Sequence, residues 1–191
     1  IGQDYKYYTG NDTLPLTQDF TRSNHFIFSE IINAAYFIYS NTFWNKLKIQ
    51  LGLRGEIANT KSDLKSQDTI YRKNYYNLFP TAHIRYDIND QHSIQFSYSR
   101  RVTRPSIWQL NPFVNVSDKL NRRSGNPNLM PEFVNSFELG YLMNIKKTSL
   151  NITAYYRQRN NIISRYTEMF QDSIDNEWVT YTLTTYQNLK K

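Results

Sequence analysis

The chain alternates. Leu47, Ile49, Leu51, Leu53 and Ile57 face Lys48, Gln50, Arg54 and Glu56 in parity, with Gly52 on the polar side. Successive side chains of a strand point to opposite faces, so this spacing predicts a strand with one apolar and one charged face. The pattern returns in Ala82, Ile84, Tyr86 and Ile88 against Thr81, His83, Arg85 and Asp87, and in Ile94, Phe96 and Tyr98 against Ser93, Gln95, Ser97 and Ser99. It returns again in Phe137, Leu139, Tyr141 and Met143 against Ser136, Glu138, Gly140 and Asn144, and in Leu150, Ile152, Ala154 and Tyr156 against Ser149, Asn151, Thr153 and Arg157. Two less regular segments, 25–39 and 179–186, bring the expected total to about seven strands. In the first, Glu30 shares a parity with Phe26, Phe28 and Ile32, which leaves its faces unassigned and would fit a bulge. No stripe of helical period competes with these rows.

The connections sort by length. Short ones are expected at 40–46, 89–91 and 145–148, and long polar ones at 58–73, 102–132 and 168–177, after a leading loop over 1–23. Short turns on one rim and long loops on the other are the arrangement of an outer-membrane β-barrel. A soluble sandwich or barrel shares the alternation but need not segregate its loops. The expected fold is therefore all-β: one partial barrel domain over 1–191, an antiparallel meander with its strands within 24–188.

Three features favour lipid as the partner of the apolar rows. Charges stand in mid-strand on the polar rows, at Lys48, Arg54, Glu56, Arg85, Asp87 and Glu138, where they are expected to line a wet lumen. Aromatics gather near strand ends, with Phe37, Tyr39, Phe43 and Trp44 around one short turn and Tyr75, Tyr76 and Phe79 near a long loop, as at a bilayer–water boundary. No separate apolar element is present to cover so much one-sided sheet. The register then follows from cost. Each Lys or Arg on the lipid face at mid-depth costs roughly 2–4 kcal/mol, and a one-residue slip would expose both Lys48 and Arg54.

Composition narrows the choice. The 191 residues hold 16 Tyr, 11 Phe and 3 Trp against 6 Gly and 6 Pro, a content rich in strand formers and too aromatic for a disordered chain. The best transmembrane-helix candidate, 26–39, is broken by Ser29, Glu30 and Asn33 and falls short of the roughly 18 apolar residues such a helix needs. Zero cysteine removes disulfides, zinc ribbons, iron–sulfur clusters and thiol catalysis. Neither a P-loop, a GxGxxG nor a GxSxG occurs. His25, His83 and His92 fall on different strands without metal-ligand spacing. Asp172 and Asp175 read as solvated turn residues. No catalytic, metal or cofactor site is expected, and the protein is read as a non-enzyme. The N-terminus, Ile1-Gly2-Gln3-Asp4, has no initiator Met, basic n-region or apolar h-region, so a targeting signal is expected outside this chain.

More specific than any period is an ordered set of motifs. The chain reads Ser97-Tyr98-Ser99-Arg100-Arg101-Val102-Thr103-Arg104-Pro105-Ser106, then Leu110-Asn111-Pro112-Phe113, Gly125-Asn126-Pro127-Asn128-Leu129-Met130-Pro131-Glu132 and Ser136-Phe137-Glu138-Leu139-Gly140-Tyr141. With Leu53-Arg54-Gly55-Glu56 and Leu78-Phe79-Pro80, this resembles the outer-membrane β-barrel family of TonB-dependent receptors over roughly residues 24–165. The resemblance implies a large barrel, commonly of 22 strands, plugged by an N-terminal domain and driven by TonB. It implies a location in the bacterial outer membrane and import of a nutrient ligand, with siderophore, glycan, cobalamin and peptide all open. This chain carries no plug or TonB box, and an open sheet would leave unpaired edges in hydrocarbon, so a fragment of a longer receptor is expected. The alternatives are a soluble β-rich module for polysaccharide or RNA and a plug-less structural barrel.

The segment 102–132 and the strand end before it are the candidate ligand site. Arg100, Arg101, Arg104, Arg122, Arg123 and Lys119 make it basic, Trp108, Phe113 and Tyr98 add stacking surface, and Asn111 adds an amide. Guanidinium pairs bidentately with carboxylate or phosphate, which suits an anionic or sugar-like ligand. The other reading pairs Arg100, Arg101 and Arg104 with lumen carboxylates such as Glu56 and Glu138, the prolines shaping a loop that folds into the barrel. The net charge of +7 is spread along the chain and forms no stripe, which argues against nucleic acid. Expected partners are membrane lipid and lipopolysaccharide, TonB through a plug outside this chain, and a nutrient ligand, with a surface lipoprotein as a further candidate.

Overall fold

The alternating rows pair into an antiparallel meander. The computed structural model describes the chain apart from residues 1, 7, 12–13, 19–22, 175–176 and 190–191. Its elements are β1 (Gly2–Tyr5), β2 (Tyr8–Asn11), β3 (Leu14–Gln18), β4 (Asn24–Phe43), β5 (Leu47–Leu64), β6 (Thr69–Asn89), β7 (His92–Thr103), α1 (Ile107–Leu110), β8 (Asn121–Arg123), β9 (Glu132–Ile145), β10 (Thr148–Asn160), β11 (Ile162–Ile174) and β12 (Glu177–Leu189). The main sheet is open and has 7 strands in the order β1-β4-β5-β6-β7-β9-β10. Strands β11, β12 and β8 form a second sheet, and β2 pairs with β3.

The short connections fall where the pattern puts them, and three of the loop assignments change. Residues 1–23 are not all loop, because Gly2 to Tyr5 pair with Ile27 to Asn24 along the free edge of β4. Residues 58–73 belong mostly to a hairpin whose ladder runs up to Leu64 opposite Thr69, closed by a single 3-10 turn. Residues 168–177 likewise lie largely in the β11–β12 hairpin; Asp175 falls outside the described residues. In the β5–β6 hairpin the apolar row stops before the strands do. Backbone pairing continues through polar residues such as Thr60 and Ser62, since a ladder needs no apolar face once the strand has left the lipid. Segment 179–186 therefore joins the hairpin, and the seventh strand of the main sheet is β1. Among the described residues only 104–131 is a long excursion, ordered by α1 and β8.

Register settles the faces. Lys48 lies opposite Arg85, Arg85 opposite Gln95, and Gln95 opposite Gly140. Glu138 lies opposite Ser97, Ser97 opposite His83, and His83 opposite Gln50. Asp87 lies opposite Ser93, while Arg54 and Glu56 fall on the parity of Lys48 within β5. All six mid-strand charges thus share one face. The β4–β5 register runs unbroken from Phe26–Leu64 to Phe43–Leu47, so no bulge is needed, and Phe26, Phe28 and Glu30 stand on the charged side. Phe37, Tyr39 and Phe43 lie on the apolar side, opposite Leu53, Leu51 and Leu47. Of the other aromatic group only Tyr76 does so; Tyr75 and Phe79 share the charged face, opposite Ala58 and Arg54.

The apolar face is bare. Phe37 is 67% exposed, Leu78 58%, Leu139 55% and Ile152 57%, with no layer of described polypeptide over them. On β5 the apolar row runs from Leu47 to Ile57, and about ten steps of ~3.3 Å tilted by ~40° span roughly 25 Å, the height of the lipid-facing band of an outer-membrane barrel. The packed cluster lies elsewhere. Phe26, Leu64, Leu110 and Leu129 are buried together, with Phe28, Ile107, Ile163 and Tyr186 against them, beyond the far end of the apolar band.

Candidate functional site

Segment 104–131 folds onto the charged face, and its own sequence makes it rigid. Ser106 begins α1, with its N–H donating to Oε1 of Gln109 at 2.8 Å, and Leu110 at the end of that turn is buried. The chain then returns to pack backbone on backbone: the Gly125 N–H donates to the Asn111 carbonyl at 2.7 Å and the Asn126 N–H to the Gln109 carbonyl at 2.6 Å. A Cβ at Gly125 would lie 2.5 Å from the Asn111 oxygen and 2.6 Å from that of Gln109, so this approach requires glycine. The Leu-Asn-Pro-Phe and Gly-Asn-Pro motifs are one backbone-clasped unit.

Ion pairs pin that unit to the sheet. Arg104 donates Nε to Glu30 at 3.1 Å and Nη2 to Glu56 at 2.5 Å, and Arg54 meets the other oxygen of Glu56 at 2.6 Å. Glu56 is only 5% exposed, so two guanidiniums compensate one buried carboxylate. Lys73 donates its ammonium to the Leu129 carbonyl at 3.0 Å, and burial holds its pKa below the ordinary lysine value. At the exit Glu132, 3% exposed, accepts from Arg159 at 2.6 Å and from the Ile163 N–H at 3.4 Å.

A second set of contacts ties the unit to the hairpin. β8 runs parallel to β12, the Ser124 N–H donates to the Thr184 carbonyl at 3.0 Å, and Asn126 Nδ2 donates to the Tyr186 carbonyl at 2.9 Å. Arg122 lies 3.7 Å from the centre of the Tyr181 ring and directs both terminal nitrogens to Asp172 at 3.3 Å.

The candidate residues divide accordingly. Arg104 is committed to its carboxylates and Arg122 to the hairpin. Asn111 is buried, its side-chain oxygen accepting from Asn24 Nδ2 at 3.2 Å and from the Phe113 N–H at 3.1 Å. Arg100 stands on the apolar parity opposite Asn135, with its guanidinium 4.9 Å from the Phe133 ring, so it faces away from the loop. Arg101, on the charged parity opposite Val134, is exposed. Trp108, Phe113 and Arg123 come together, with Tyr186, around a cleft of about 340 Å³. Below the loop a second hollow of about 800 Å³ lies against Lys48, Gln50, His83, Arg85, Ser97 and Glu138. Glu30, Lys73, Glu132, Arg159 and Tyr186 complete the arrangement without having been expected from sequence. Glu30 was the one with a signal, as a charge in an otherwise apolar row.

An apolar outer band, a charged inner face and a loop folded over that face define the wall of an outer-membrane β-barrel. The sequence matches the outer membrane protein beta-barrel family over residues 1–191, and the chain belongs to that family. Its place is the bacterial outer membrane. Among solved structures the fold is similar to the siderophore receptor PirA from Pseudomonas aeruginosa, at 11% identity and a TM-score of 0.55, over 87% of this chain and 38% of that one. It is similar also to the ferric enterobactin receptor PfeA from Pseudomonas aeruginosa, crystallised as a mutant in complex with enterobactin, at 13% identity and a TM-score of 0.54, over 88% and 32%. PirA from Acinetobacter baumannii aligns with 100% of this chain and 36% of its own, at 11% identity and a TM-score of 0.50. The chain thus spans about a third of the length of these receptors. No curated protein matches it in sequence.

Proposed function

We propose that this chain is the barrel portion of a TonB-dependent receptor that imports a nutrient ligand, and is not an enzyme. The observation that carries the reading is the position of segment 104–131, held by Arg104 and Lys73 over the charged face within a wall whose other face is apolar. A loop so placed stands across the mouth of the passage that the charged row Lys48, Arg54, Glu56, Arg85, Asp87 and Glu138 would line. The open edges of the sheet support further strands in the complete protein, because unpaired strand edges are prohibitive in hydrocarbon. Energy would come from TonB acting through a plug, and a surface lipoprotein is a further candidate partner.

Contact with lipopolysaccharide has its own support. Lys61 and Arg72 are directly opposite each other on the outward parity, and four residues beyond Ile57 place them about 10 Å above the hydrocarbon edge. That is headgroup depth, where a cation is attracted to anionic lipid.

The test uses the full-length protein in its own cell. It should fractionate with the outer membrane, migrate as a heat-modifiable band, and support growth on a limiting nutrient only when TonB is intact. Growth support that persists without TonB would leave a passive barrel instead.

A further inference from the structure

Three rings and one guanidinium meet outside the ion-paired part of the loop. Trp108 on α1 is 60% exposed, and with Phe113, Arg123 and Tyr186 of β12 it lines the cleft of about 340 Å³. Gly125 also lines the cleft, its backbone clasped to Asn111 and Gln109, so that part of the lining is set before a ligand arrives. Arg123 is held at the rim by a backbone bridge, with the Asn115 N–H donating to its carbonyl at 2.8 Å and its own N–H returning to Asn115 at 3.3 Å.

Charge singles out this arginine. Arg104 is neutralised by Glu30 and Glu56, and Arg122 by Asp172, while Arg100 lies on the opposite side of the sheet. Among the described residues Arg123 has no carboxylate within ion-pair distance and is exposed. It stands beside the apolar rings of the cleft without an ion pair of its own, although the Asp118 carboxylate is near enough to feel its charge. Ring faces stack on flat or ring-shaped groups, and guanidinium matches a carboxylate in two parallel hydrogen bonds.

We propose that this cleft captures an acidic ring compound, its ring against Trp108 and Phe113 and its anionic group on Arg123. The proposal deepens the receptor reading and rests on it for the ligand's approach from outside the cell. Ring and acid could come from an aryl carboxylate or from an acidic sugar, and the experiment separates these sources.

The full-length receptor, purified in detergent without any energy source, is titrated with two matched pairs: benzoate against benzamide, and glucuronate against glucose. Within at least one pair the acid should bind about tenfold or more tightly than its neutral partner, a gap of about 1.4 kcal/mol. The pair that discriminates names the source. Arg123→Gln should abolish the gap, Phe113→Ala should weaken both members of that pair, and Arg157→Gln, remote on β10, should change neither. Heat-modifiable migration of each variant confirms that it is folded. Equal binding of acid and neutral partners, no binding of either pair, or a gap that survives Arg123→Gln overturns the proposal. Binding without TonB-dependent growth would sink the import reading and leave the cleft standing; growth without binding would do the reverse.

Discussion

Arg104 and Glu56 are 48 residues apart in sequence and share a hydrogen bond of 2.5 Å. The contact joins the root of the long loop to the middle of a wall strand, and Glu30 on the neighbouring strand accepts from the same guanidinium. Removing Arg104 strips Glu30 of this partner and leaves Glu56 with Arg54 alone, at a cost below the ~3–5 kcal/mol of a buried charge left wholly unpaired. Arg104→Ala should therefore release the loop while leaving the wall inserted. Limited proteolysis of intact cells should cut within 104–131 faster in the variant, with heat-modifiable migration retained.

The two faces of β5 can be told apart by adding one charge to each. Leu53→Arg places a cation on the bare apolar face and should destabilise the protein by roughly 2–4 kcal/mol. Gln50→Arg adds the same group to the charged face and should change stability by less than about 0.5 kcal/mol, as a solvated substitution does. Urea unfolding in lipid vesicles measures both. Equal costs would contradict the assignment of faces.

Glycines separate in the same way. Alanine at Gly125 would press on the backbone of Gln109 and Asn111, which has nowhere to go, and should cost about 1–3 kcal/mol as overpacking. At Gly55 the nearest atom to an added Cβ is a Leu78 methyl at 3.6 Å, ordinary contact, and Gly55→Ala should be tolerated. Unfolding midpoints of the two variants give the comparison.

Acid should loosen the top of the β5–β6 hairpin. Lys65, with Lys61, holds the Asp63 carboxyl below its ordinary pKa, through contacts of 2.9 and 3.1 Å. The unfolded chain then binds more protons than the folded one between the two pKa values, so stability rises with pH across that window. The contribution is full above about pH 4, the unfolded aspartate value, and is lost as pH falls through the folded one. The protection of the hairpin-tip amides, measured against the intrinsic exchange rate at each pH, should fall on acidification in the native protein. Asp63→Asn should remove that loss of protection.

Period-two alternation made the wall legible, because lipid demands an apolar residue at every second position from Leu47 to Ile57 and tolerates no slip. Beyond that band lipid no longer faces the strand and the folded loop covers its other side, so the demand for alternation lapses and the hairpin extension to Leu64 left no hydropathic trace. The face of β4 was hidden for a related reason. Phe26 and Phe28 are apolar residues on the charged side because the folded loop, through Leu110 and Leu129, supplies them with a core. In the candidate site the residue types were readable and the pairings were not. Nothing local distinguishes Arg104, taken by Glu30 and Glu56, from Arg123, which is not; that distinction is made by strands far away in sequence.

At Asn161 the backbone turns left-handed, with φ at 55°, and β10 gives way to β11 in a separate ladder. Asparagine is among the few residues that accept this geometry at small expense. The interruption works as a fuse. Because the ladder of the wall stops there, loss of pairing in the β11–β12 hairpin need not open the seams of the strands embedded in the bilayer.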